Sequence, residues 1–142
     1  MPLVKLDITK TTPYADGKVF GETGPYLLLE GSAQFAVDPL SPVNGGVTDI
    51  DLGARDGEGQ VRFSSRFAML QPADPDAGNR SIFFDVVNRG NRTAFKNFNS
   101  GDPNPEPTQP LDPGNGFLMR HGYTVVWCGW QPDLPSNPGV IG

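Results

Sequence analysis

The stretch that decides the reading of this chain is Asn115-Gly-Phe-Leu-Met-Arg-His-Gly-Tyr-Thr-Val-Val-Trp-Cys-Gly-Trp130. Phe117, Leu118 and Met119 followed by Arg120 and His121 spell the last turns of a helix, because cations suit a helix C-terminus. Gly122 supplies the left-handed residue that ends it. From Tyr123 to Cys128 the residues show no polar alternation, which predicts a strand buried on both faces, as in a parallel sheet covered by helices. Upstream, Ser81-Ile-Phe-Phe-Asp-Val-Val87 has the same character and runs into Asn88-Arg-Gly-Asn91. A short helix is predicted over 92–97. Residues 81–130 therefore read as strand, glycine loop, helix and strand, a right-handed crossover unit.

The residues before this unit read as antiparallel sheet. Leu3 to Thr12 alternates weakly and predicts an edge strand. Tyr26 to Val37 alternates cleanly, with Leu27, Leu29, Ala33, Phe35 and Val37 on one face and Glu30, Ser32 and Gln34 on the other; Gly31 predicts a bulge or bend. Val47 to Leu52 reads as a further strand. Asp56-Gly-Glu-Gly59 turns it into a partner over Val61 to Leu70. There, Val61, Phe63, Phe67 and Met69 face one way and Arg62, Ser64 and Arg66 the other. The proline-rich 101–114 and 131–142 read as loops. The expected fold class is α/β in a single domain over 1–142. Its antiparallel strands within 1–70 lead into the parallel unit of 81–130, whose last strand has no later neighbour to pair with.

Length and composition set bounds. A chain of 142 residues can bury one core, and 18 Gly with 15 Pro favour short strands and turns over a helical bundle. The net charge of −5 lacks the basic footprint of a nucleic-acid binder. No apolar run approaches the roughly 18 residues a spanning helix requires. No apolar leader follows Met1, so cytoplasmic residence is the default expectation. The lone Cys128 excludes an internal disulfide and reads as an inert buried thiol. His121 is the only imidazole and reads as a helix-end residue. With one histidine and one cysteine a zinc site is not expected. Asp49, Asp51, Asp56 and Glu58 fail calcium-loop spacing, because Gly53 and Ala54 stand where an oxygen ligand and a glycine are needed. No metal or cofactor is expected.

Several separated motifs occur in order: Phe20-Gly-Glu-Thr-Gly-Pro-Tyr26, Phe35-Ala-Val-Asp-Pro39, Val61-Arg-Phe63, Asp74-Pro-Asp-Ala-Gly-Asn-Arg80, Asn88-Arg-Gly-Asn91, and the run from Gly116 to Asp133. Together they resemble the N-terminal part of the bacterial family described as alpha/beta hydrolase domain-containing proteins. The resemblance implies the front half of an α/β-hydrolase sheet and an esterase-like function on a small ester or acyl substrate. It also implies that Asn88, Arg89, Gly90 and Asn91 form the loop that lends a backbone N–H to the oxyanion hole. Many esterases carry His-Gly-Gly-Gly there, and this chain contains no Gly-x-Ser-x-Gly elbow, so the nucleophile would lie on other sequence.

Two further residues stand out. Asp85, inside an apolar strand, needs a partner, with Arg89 and Arg92 as candidates to brace it. Trp130 follows a strand end, where open α/β folds bind ligands, and is a candidate pocket wall. The alternative function is a non-catalytic β-rich binding or assembly domain. The isolated chain is expected to be unstable or to self-associate through an exposed sheet edge.

Overall fold

The computed structural model describes residues 3–102, 110–134 and 140–142. Five strands form one mixed sheet: β1 (Leu3–Pro13), β2 (Tyr26–Val37), β3 (Val61–Pro72), β4 (Ile82–Asp85) and β5 (Thr124–Cys128). Their order across the sheet is β1-β2-β3-β5-β4. Pairing is antiparallel except between β4 and β5, which run parallel. Two short helices, α1 (Ala94–Phe98) and α2 (Phe117–Arg120), lie in the connection between β4 and β5.

This architecture overturns the expected α/β class. The molecule is mostly β, with few helical residues, and 81–130 is not a strand–helix–strand unit. Helices of five and four residues are too short to roof a parallel sheet. The last strand is also not left without a partner on one side. β5 lies between β4 and β3, with Phe67 paired to Cys128 and Leu70 to Val125, so the N-terminal strands and the C-terminal strand share one sheet.

The two apolar strands are not buried on both faces. In β5, Val125 and Trp127 are buried while Thr124, Val126 and Cys128 are half-buried. In β4, Ile82 and Phe84 point to solvent. The main core cluster forms on one side, where Tyr26, Ala68, Leu70, Val125 and Trp127 pack under Tyr14, Phe20, Phe95, Leu118, Met119 and Ile141, while Leu29, Ala33 and Phe67 are buried on the opposite face. The wet face expected of β2 and β3 changes character along its length. Glu30, Ser32 and Arg66 share that face with Tyr26, Ala68 and Leu70 of the core.

The expected strand over Val47 to Leu52 is absent. Short turns occupy it, closed by Val47 N–H to the Asn44 carbonyl and Leu52 N–H to the Asp49 carbonyl, with Asp49 at φ 59°. Val47 and Leu52 are exposed, so no apolar face rewards extending them. The turn at Asp56 does form. Its carboxylate accepts from the amides of Glu58 and Gln60 and from Arg62. The Arg62 bond is the main reason that this carboxyl lies below its ordinary pKa. Parts of both proline-rich loops, 103–109 and 135–139, lie outside the described residues. No helix among the described residues is long and apolar enough to cross a membrane.

Candidate functional site

The carboxyl ends of β4 and β5 gather most of the residues that the sequence singled out. One row crosses the whole sheet on its core side, from Lys10 through Glu30, Ala68 and Trp127 to Asp85. Asp85 is buried and accepts four hydrogen bonds: Thr93 N–H at 2.7 Å, the Thr93 hydroxyl at 2.9 Å, Ala94 N–H at 2.8 Å and the Trp127 indole N–H at 2.7 Å. Two are the otherwise orphaned amides at the start of α1, so a strand residue caps the helix from outside it. No arginine nitrogen bonds Asp85 among the described residues, in contrast to the expected brace by Arg89 or Arg92.

Past Val87 the chain reverses. Asn88 and Asn91 exchange backbone hydrogen bonds at 3.1 and 3.0 Å, and the Asn91 side-chain amide donates to the Asn88 carbonyl at 3.1 Å. Arg89 and Gly90 both take left-handed angles, φ 48° and 79°, as the centre of a tight two-residue turn requires. Gly90 has a second reason to be glycine. A Cβ there would lie 2.4 Å from Val140 Cγ1 and 3.0 Å from Leu134 Cδ1. Its carbonyl accepts from Ile141 N–H at 3.0 Å, so 140–142 closes over the turn. The N–H groups of Arg89 and Gly90 meet no acceptor among the described residues. Arg89 forms an exposed, long ion pair with Asp133 at 3.9 Å.

Trp130 donates its indole N–H to the Val87 carbonyl at 2.8 Å and is otherwise exposed. It fastens the end of β4 to the end of β5.

Beside this turn, on the core side of the sheet, lies a cavity of ≈ 380 Å³ bordered by Glu30, Gly31, Arg66, Arg92, Val140 and Ile141. Trp130 does not border it. Arg92 is half-buried, with its guanidinium carbon 5.8 Å from the centre of the Trp127 ring. Burial pulls its pKa below the ordinary arginine value, opposed by Glu30, Tyr14 and Asp85. Arg66 and Glu30 as parts of a cavity were not legible in the sequence, because β2 and β3 read there as an ordinary solvated face. The sequence placed Glu30 on one strand and Arg62 and Arg66 on another that was expected to pair with Val47 to Leu52, so nothing in it brought them together.

The remaining candidates lie apart from any assembled chemistry. His121 is exposed at the end of α2, its ring 4.5 Å from that of Phe117. Cys128 Sγ is 3.5 Å from Ser65 Oγ, whose proton has two carbonyl acceptors, Gly129 at 2.7 Å and Arg66 at 2.9 Å. No cluster of potential metal ligands occurs among the described residues. Comparison of the chain with protein-family models, curated proteins and solved structures gives no match. The hydrolase likeness therefore rests on the sequence motifs alone.

Proposed function

We propose that this chain is a non-catalytic β-rich binding or assembly domain that associates with a second copy through the outer edge of β4. The supporting observation is the exposure of its apolar residues: Ile82 at 68%, Phe84 at 53% and, just beyond the strand, Val86 at 64%. The edge is also free in its backbone. Thr124 N–H reaches the Ser81 carbonyl, so strand alternation turns the N–H and C=O groups of Ile82 and Phe84 away from β5. The one charged residue of the strand, Asp85, is buried. An uncharged apolar edge with unpaired backbone groups is a template for another strand. Two such edges from identical chains complement one another by symmetry.

Sedimentation velocity across a range of concentrations tests this reading. The expected result is reversible association that Phe84→Glu abolishes, since position 84 is exposed and the substitution leaves the core intact. A wild-type chain that stays monomeric at every concentration would sink the reading.

A hydrolase reading has one observation in its favour, the two unpartnered amides of Arg89 and Gly90 at a strand's carboxyl end, where backbone donors can meet a developing oxyanion. It requires a serine nucleophile, which this chain does not present on a Gly-x-Ser-x-Gly elbow. Labelling of the natural protein by a fluorophosphonate probe separates the two readings.

A further inference from the structure

Arginines that are partly withdrawn from water usually face a carboxylate. Arg92 makes no direct bond to one. Its guanidinium forms no hydrogen bond or ion pair with any described residue; Glu30 and Asp85 act on it only through space, and it lies over the Trp127 ring. Glu30, the nearest acid of the cavity, is engaged elsewhere: its carboxylate binds Lys10 Nζ at 2.9 Å. Asp85, behind Trp127, is occupied by its four donors. Arg66 reaches the same cavity, with one guanidinium nitrogen donating to the Val140 carbonyl at 3.1 Å. Of the charged side chains that border the cavity, Arg92 is thus the one with no hydrogen bond or ion pair among the described residues, while Glu30 is already paired with lysine. An unpaired guanidinium in a concave site creates a local field that draws in anions.

We propose that this cavity binds a small organic carboxylate, with Arg92 as its principal partner. The guanidinium fork matches the two oxygens of a carboxylate, and Arg92 holds it within cation–π reach of the Trp127 ring. Val140, Ile141 and Ala68 supply an apolar wall for the body of the ligand. The volume of ≈ 380 Å³ is at the lower end of the range for small-molecule sites, which suits a single ring or a short chain. The site does not depend on association through β4, because none of its bordering residues belongs to that strand.

Isothermal titration calorimetry with benzoate, inorganic phosphate and benzylamine as probes tests the assignment on the whole chain. Benzoate is expected to bind saturably, phosphate more weakly, and benzylamine not at all. Arg92→Gln should weaken benzoate roughly tenfold or more, the loss of a charged hydrogen-bonding partner, while Arg92→Lys should recover part of it. Glu30→Gln should tighten benzoate binding, since it removes the like charge facing the ligand. A purely structural Glu30 would lack that effect. Failure of benzoate to bind, tighter binding of phosphate, or unchanged affinity in Arg92→Gln overturns the proposal. If Arg92→Gln does not fold, Glu30→Gln decides: tighter binding supports the site, and unchanged or weaker binding overturns it.

Discussion

At the scale of single residues, the fold relies on two buried polar side chains that cap helices to which they do not belong. Asp85 receives the first amides of α1, and Asn99, fully buried, accepts from Leu118 N–H at 3.0 Å in the first turn of α2. Asn99 also donates to the Pro113 carbonyl at 3.2 Å, which ties the connection before α2 to the end of α1. Helices this short do not hold by propensity, so their ends must be satisfied from elsewhere. Asp85→Asn replaces an acceptor oxygen with a donor in a pocket that presents only donors. It should cost about 1–3 kcal/mol in urea denaturation. In double-mutant cycles the loss should couple more strongly to Trp127→Phe than to Arg92→Gln. Equal coupling to both would return the bracing role to the arginine. The sequence showed that Asp85 needed a partner but not which one. Two of its four donors are backbone amides, which have no signature in residue type.

At the scale of elements, strand existence was legible and strand environment was not. The alternation of Tyr26 to Val37 marks β2 end to end, because a hydrogen-bonded strand with a neighbour on each side imposes period two on its residues. The reading of Val47 to Leu52 as a strand failed, because its exposed Val47 and Leu52 meet no core that would reward extending them. The reading of β4 failed as well, because its apolar run meets a core on one face only, a fact about neighbours rather than about the run itself. Gly31 shows how a strand reading can be sharpened. β1 is bulged opposite it, between Ile8 and Lys10, and a Cβ at position 31 would lie 1.9 Å from the Asp7 carbonyl oxygen. Gly31→Ala should therefore push β1 away and destabilise by about 1–3 kcal/mol, as overpacking does. A urea midpoint equal to wild type would show that the bulged strand yields without cost.

At the scale of the whole molecule, the sheet's N-terminal half is closed against its C-terminal half by two tyrosines. The Tyr14 hydroxyl donates to the Leu111 carbonyl at 2.9 Å, and the Tyr26 hydroxyl is shared between the carbonyls of Met119 and Tyr123, each at 3.1 Å. These links span more than ninety residues of chain, so neither was legible from local pattern. Burial raises both phenol pKa values above the ordinary 10.0, and for Tyr14 the Asp112 carboxylate raises it further. A group whose pKa is raised by folding stabilises the fold fully below its unfolded pKa. That contribution fades as pH climbs past that value toward the folded one. Stability should accordingly hold from neutral pH to near pH 10 and then fall, as the unfolded chain ionises tyrosines that the folded chain keeps neutral. Tyr14→Phe and Tyr26→Phe together should lower the urea midpoint at pH 7, through the lost hydrogen bonds, yet flatten its decline above pH 10. If the double variant declines as steeply as wild type, other groups govern the alkaline limit, and the two tyrosines are ordinary core residues rather than the closure between the two halves of the chain.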